Sequence, residues 1–460
     1  MYALLVVVLL LVPIGLALVW PTVLVYGSLL TGAAPVTLGR GEQLTGELGR
    51  MDFYAIRLLG LWVAALLVTT LNLSKVLGLI SRFRFHVFFL IFAVVTLLWA
   101  PSAVYGSRML AKLTAPFLFM LLTSVVISTT NHVRRIECVV LTAGVLAVTV
   151  ELLTWLSGYR FEGKAGLGIP GLGPAASSAH MAVLAIFAFA FYRHSRSILH
   201  LVLMLGFSGA AVGGFTRITI VGMFVGFSAV LFLSSRGFVK YALPLLTITA
   251  LPASFILSDA LRYRMFKGGR IPSLDTIAND PISTFDYVHG SGRFDAWSYV
   301  IEHFFLPNPW LGSGAGTTQH YFYTHPAIGL NAIHSEYIRV LAELGIFGFA
   351  LLIIMVISYL HVLCQTLANS VNVLTKRTSL GAIGALLFYV VFMATDNAID
   401  YVTSCGIFVF AMIAVSQRSY DLEGVAISKV VERESAGAAT QFYDGQVIKT
   451  IERFPILPRK

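Results

Sequence analysis

Charge is scarce in this chain. Asp, Glu, Lys and Arg make up 12% of its 460 residues, about half the roughly 25% of a soluble domain. With 57% hydrophobic residues and a mean hydropathy of +0.83, there is too little polar surface to cover a globule, which excludes an ordinary soluble enzyme and a disordered chain. Cysteine is scarcer still. Cys138, Cys364 and Cys405 all lie in or at the ends of apolar runs, so neither a disulfide framework nor a zinc cluster is indicated. No GxxxxGK[ST], and no GxGxxG opening a helix after a strand, is found, which removes the usual nucleotide-binding signatures. Acidic residues are the rarer sign, 22 against 32 basic, for a net charge of +10.

What the chain does have is long apolar runs, near 3–25, 52–72, 87–104, 113–130, 138–156, 178–192, 198–214, 218–234, 241–257, 337–363, 380–396 and 402–416. Each approaches or exceeds the ~20 residues that cross a bilayer core. They predict an all-α polytopic membrane protein with about twelve transmembrane helices, since a bilayer leaves no other way to satisfy the backbone of such segments. The run from Tyr2 to Val25 lacks a basic leader and a small-residue cleavage site, so it is expected to be a retained first span. With both termini cytoplasmic, every short inner connection is basic: Lys75, Arg82 and Arg84; Arg134 and Arg135; Arg193 and Arg196; Arg236 and Lys240; Lys376 and Arg377. That is the positive-inside pattern, and it accounts for most of the +10.

The chain therefore divides into nine spans over 1–257, an extracytoplasmic loop over 258–336, three spans over 337–417 and a cytoplasmic tail over 418–460. The tail, with mixed charges and an Ala/Gly stretch at Ala436 to Ala439, is expected to be a flexible appendage. Long loops are uncommon unless functional or disordered. This one carries Phe285, Trp297, Tyr299, Phe304, Phe305, Trp310, Tyr321, Phe322 and Tyr323, enough to pack as a helical cap.

The loop balances Arg262, Arg264, Lys267, Arg270 and Arg293 against six acids. It is thus no general basic patch and offers nothing to a nucleic acid. Any anion site must be built from particular arginines. Arg57 in the second span, Arg217 before the eighth and Arg339 at the start of the tenth all lie towards the outer side, where a charge within a span is costly and marks either snorkelling or function. Arg339 has Glu336 at i−3 and Glu343 at i+4, so a structural ion pair explains it. Gly312-Ser-Gly-Ala-Gly316 reads first as a turn, and alternatively as backbone free to approach an oxygen-rich ligand. His334 precedes a predicted N-cap, Ser335; it is either a polar interfacial residue bonded to a loop carbonyl or a general base.

Taken together, Ser291-Gly292-Arg293 with Trp297, the Pro309 to Gly316 turn, His334 with Glu343, Gly345 and Gly348, and Thr216-Arg217 resemble the O-antigen ligase and polymerase superfamily. These are integral-membrane glycosyltransferases acting on polyprenyl-diphosphate-linked glycans. Two positions depart from the family pattern: Ser335 stands where Asn is usual, and Thr216 where Ser is usual. Both keep a hydrogen-bonding side chain.

The resemblance implies a bacterial inner-membrane enzyme. His334 would be catalytic, Arg217 and Arg293 would bind the donor diphosphate, and Arg57 and Arg270 would be secondary phosphate contacts. Arg339, Glu343, Trp297, Gly312 and Gly314 would be structural. No cofactor and no metal is expected, since Glu42, Glu47 and Asp52, or Asp396 with Asp400, lack ligand spacing. The implied partners are the lipid-linked glycan donor, a glycan or lipid A core acceptor, membrane lipid and a chain-length regulator. A polymerase is preferred to a ligase because the loop is large and aromatic. A lipid or polysaccharide flippase would show related halves or broken segments near the midplane, and a non-catalytic scaffold would tolerate loss of Arg217 and Arg293.

Overall fold

The computed structural model describes residues 11–16, 18–32, 53–158, 167–169, 172–257, 293–325 and 332–441, with single residues between 259 and 287; at 53–58, 248, 251–257 and 429–441 it describes backbone only. Of the described residues 84% are helical and none lies in a strand, so the protein is an all-α polytopic membrane protein. Seven described helices are long and apolar enough to cross a bilayer: Ala103–Val126, Thr130–Leu156, Pro174–Ser195, Arg217–Ser234, Glu336–Asn369, Val373–Phe392 and Val402–Ser428. The other predicted runs fall on a pair bent by 104° (Leu59–Leu71 and Leu73–Arg82), on the shorter apolar helices Pro21–Leu30, Arg84–Leu98 and Ile198–Gly213, and on Val239–Leu257.

Burial separates the centre of the bundle from its lipid-facing shell. Over an apolar stretch of 18 residues in each span, 94% are buried in Val402–Ser428 and 83% in Pro174–Ser195, against 39% in Thr130–Leu156 and Glu336–Asn369, whose outward residues include Leu146, Leu153, Ile354 and Ile357. Hydrocarbon supplies no hydrophobic drive between spans, so close packing must come from small residues. Gly222-Met-Phe-Val-Gly226 supplies them. A Cβ at Gly226 would lie 2.9 Å from the Gly384 carbonyl oxygen, and one at Gly222 would lie 2.8 Å from the Phe388 ring.

Two sequence expectations change. The break expected at 105–112, between runs 87–104 and 113–130, lies earlier, at 99–102, and one helix, Ala103–Val126, takes in Arg108 and Lys112 one turn apart. A polar pair at i, i+4 occupies one face and does not interrupt a helix whose other faces are apolar. The tail is also not loose where it begins. The last helix runs on to Gln441, and its Arg418, Asp421 and Glu423 bond to Ile127, Arg82 and residues 370–372. Residues 442–460 lie outside the described residues.

Candidate active site

The site is built around the start of the Glu336–Asn369 helix. Ser335 caps it, its hydroxyl accepting the Ile338 N–H at 3.4 Å. The preceding residue, His334, has φ +53°, a left-handed conformation uncommon outside glycine and found where surrounding contacts impose it. Those contacts are visible. The His334 N–H donates to the Asn397 side chain at 3.0 Å, and the neighbouring Ile333 carbonyl accepts the Trp297 indole N–H at 2.7 Å. The Glu336 N–H donates to the Met393 carbonyl at 2.9 Å, and the Ile399 N–H donates to the Glu336 carboxylate at 2.9 Å. The turn 393–400 and the segment 333–336 thus hold each other.

This arrangement brings three side chains together. Nδ1 of His334 lies 3.8 Å from Oδ1 of Asp396, longer than a hydrogen bond but within the range that tightens when a ligand binds. Arg293, first residue of the Arg293–Val300 helix, donates to the Thr395 carbonyl at 2.6 Å and has a second guanidinium nitrogen 4.0 Å from Oδ2 of Asp396. Asp396 is only 2% exposed, whereas His334 is 42% exposed, so the carboxylate is the fixed element and the imidazole the accessible one. Asp396 also accepts from the Asn397 N–H at 2.8 Å and the Tyr401 hydroxyl at 3.0 Å. Burial, reinforced by the Asp396 carboxylate, pushes the Tyr401 hydroxyl well above its ordinary value, so it stays a donor.

Beneath this group lies a buried charge network. Arg339 reaches Glu336 at 3.2 Å and Asp400 at 3.2 Å, and Lys112 reaches Asp400 at 2.7 Å. Burial alone would raise the Asp400 carboxyl, but Arg339 and Lys112 outweigh it and hold it below the ordinary carboxylate range. Glu343 interacts electrostatically with Arg339, as expected from the sequence, and has a second task. Its carboxylate accepts the Gly316 N–H at 2.7 Å, the Thr318 N–H at 3.2 Å and the Thr318 hydroxyl.

The Gly312–Gly316 stretch is thereby tied to the helix. The Gly314 N–H donates to the Glu343 carbonyl at 2.9 Å, and the Ile346 N–H to the Pro309 carbonyl at 2.8 Å. The helix breaks to admit it at Gly345 (φ 65°, ψ −170°). A Cβ there would sit 2.4 Å from the Trp310 carbonyl oxygen, and one at Gly312 would sit 2.4 Å from the Glu343 backbone. These glycines permit backbone-to-backbone contact; the Gly312 N–H is spent on the Asn308 carbonyl, and those of Gly314 and Gly316 on Glu343.

Of the residues singled out from sequence, Arg293, Trp297 and His334 converge, with Arg339, Glu343, Gly312 and Gly314 around them. Arg217 is the half-buried first residue of its helix. Arg270 is exposed, in the sparsely described part of the loop. The side chain of Arg57, and Ser291 and Gly292, lie outside the described residues. Sequence reasoning weighed Asp396 and Asp400 only as metal ligands and passed over Asn397, Tyr401 and Lys112. The available signal was the run Asp396-Asn-Ala-Ile-Asp400, two carboxylates one turn apart at the end of an apolar span. Among the described residues no group of three or more His, Cys, Asp or Glu side chains is placed to hold a metal ion.

Comparison with known families gives one match: residues 175–353 fit the model described as O-Antigen ligase. That stretch contains Arg217, Arg293, His334, Arg339, Glu343 and the Gly312–Gly316 turn. It stops short of Asp396 and Asp400. Comparison with curated proteins finds no match.

Proposed function

The match over residues 175–353 supports the O-antigen ligase and polymerase superfamily, and on that premise we propose that the protein transfers a glycan from a polyprenyl-diphosphate carrier to a sugar hydroxyl on the outer face of the bacterial inner membrane. The observation that carries the reading is the placing of His334 and Arg293 on either oxygen of one buried carboxylate, Asp396.

With Nδ1 turned to Asp396, the carboxylate favours the Nδ1–H tautomer and leaves Nε2 as the base. The acceptor hydroxyl attacks the anomeric carbon, its proton passes to Nε2, and the bond from the anomeric carbon to the diphosphate oxygen breaks. Arg293 uses one guanidinium nitrogen on Thr395 and retains further N–H donors of its five for the departing diphosphate, whose growing charge strengthens those bonds. Arg217 supplies a second cation; Arg57 and Arg270 are secondary candidates. The diphosphate is a good leaving group, so no nucleotide, metal or other cofactor enters the reaction.

Polymerisation, with another lipid-linked repeat as acceptor, is supported by the aromatic cap over 293–325. Ligation to a lipid A core or another acceptor is supported by the description of the matching family.

The test uses purified protein in lipid nanodiscs with a lipid-linked repeat unit. His334→Ala is expected to lower turnover by about 10²–10⁴-fold, the usual worth of a general base, with unchanged folding. Undiminished transfer removes the base role. A ladder of products from the repeat alone means polymerase; a product only when a separate acceptor is added means ligase.

A further inference from the structure

Arg293, Lys112 and Arg339 all have oxygen partners at this end of the bundle. Arg108 differs. No described carboxylate pairs with it, and its Nη2 is covered yet bonded to nothing. What Arg108 does have is a ring: its guanidinium lies 5.4 Å from the centroid of Tyr105. On the same ring lies His320, at 5.2 Å and 54°, whose Nδ1 is likewise covered and unpartnered. Tyr323 stacks on Tyr105 at 5.9 Å and 26°, and its own side is open, at 47% exposure. Covered polar atoms without partners are rare in folded proteins, and each calls for a cause. Here a cation and an imidazole both lie against the Tyr105 ring.

The position is fixed by backbone contact. Gly316, at φ 77°, abuts Tyr105 so closely that a Cβ would lie 2.4 Å from its carbonyl carbon, which seats the Thr317–Thr324 helix against Ala103–Val126. Arg108 is one turn, about 6 Å, from Lys112, which holds Asp400, one turn in sequence from Asp396. The group therefore lies at the same end of the bundle as the His334 site.

We propose that Arg108, His320, Tyr105 and Tyr323 form a subsite for an acidic sugar of the glycan. The exposed Tyr323 ring, backed by the buried Tyr105, offers an apolar face to the C–H face of a pyranose and its hydroxyl to those of the sugar. Arg108 and the Nδ1–H form of His320 bind the sugar's carboxylate through charge-assisted hydrogen bonds. This rests on the glycan-transfer reading and adds to it the charge of the sugar selected.

Binding is measured with the full chain in nanodiscs, in the His334→Ala background and with no lipid-linked donor present. The probes are a glucuronate-containing tetrasaccharide and maltotetraose. The acidic probe is expected to bind more tightly. Arg108→Gln should weaken it about tenfold, the worth of one lost charge-assisted bond, while changing maltotetraose by less than about twofold. Arg108→Lys should retain part of the preference. His320→Gln should weaken the acidic probe less than Arg108→Gln does, and Tyr323→Ala should weaken both probes. Equal binding of the acidic probe to parent and Arg108→Gln overturns the subsite, as does equal affinity of the parent for the two tetrasaccharides. Displacement by inorganic phosphate at a concentration where free glucuronate leaves the probe in place overturns the sugar assignment. If Arg108→Gln fails to fold, His320→Gln decides by the same comparison. Full transfer activity of His334→Ala would count against the proposed reaction alone and leave these binding results standing.

Discussion

The two ends of the helix bundle use charge in opposite ways. At the end rich in Lys and Arg, cations close connections: Arg377 pairs with Glu137, Arg82 with Asp421, and Arg418 donates to the Ile127 carbonyl. Glu423 there accepts from Ser370, Val371 and Asn372 at 2.6–3.0 Å. At the other end, charges are stacked in depth. Glu336, Arg339, Asp400 and Lys112 neutralise one another beneath Asp396, while His334 and Arg293 stand above it, partly exposed. The first arrangement fastens loops. The second keeps a base and a cation in place without consuming them, because a buried carboxylate held by its own partners cannot turn away.

Four substitutions sharpen or break that contrast. The largest effect is expected from Gly345→Ala, which puts a side chain at positive φ and against the Trp310 carbonyl oxygen; the yield of monodisperse protein in detergent should fall most of all. Gly237, also at positive φ but in open space at the opposite end, is the control: Gly237→Ala should cost only the backbone strain, about 1–2 kcal/mol. Next comes Asp400→Asn. Arg339 and Lys112 then lose a half-buried anion, which should destabilise the protein by about 2 kcal/mol, less than for a fully buried pair, read as a lower midpoint of thermal unfolding. Asp396→Asn should leave that midpoint nearly unchanged and lower turnover, by less than His334→Ala does, because it misorients the imidazole without removing it. The smallest effect is expected from Arg82→Gln, where a half-exposed pair is worth at most about 1 kcal/mol and transfer should be unaffected. Loss of transfer in a stable Arg82→Gln protein would end the division of labour between the two ends.

How much of the site was legible follows from what kind of contact each residue makes. Arg293 and Trp297, and Ser335 and Glu336, sit within a few residues of each other, so helix periodicity and capping were enough to place them. Asp396 and Asn397 act on His334 from more than sixty residues away, across two spans, and no local pattern encodes that meeting. Lys112 was hidden for a related reason: a polar interruption between two apolar runs reads as a loop until Asp400 is seen to receive its charge. The glycines of 312–316 were legible as a turn, but their fit into the break at Gly345 was not, since both halves of that contact are backbone.

The sequence by itself determined the class of protein. Twelve apolar runs and a small number of charges leave a helical bundle as the only way to satisfy the backbone in lipid. It also marked the arginines and the histidine in the connections away from the Lys- and Arg-rich end. The tertiary structure decided which of them work together, because three separate segments, 293–297, 333–343 and 393–401, meet only when the Glu336–Asn369 and Val373–Phe392 helices pack side by side. It also decided that Asp396, Glu336 and Asp400 lie beneath His334 and Arg293. In a bilayer an unpaired charge is costly, so Glu336 and Asp400 meet Arg339 and Lys112 in space, and sequence distance sets no limit on such pairing.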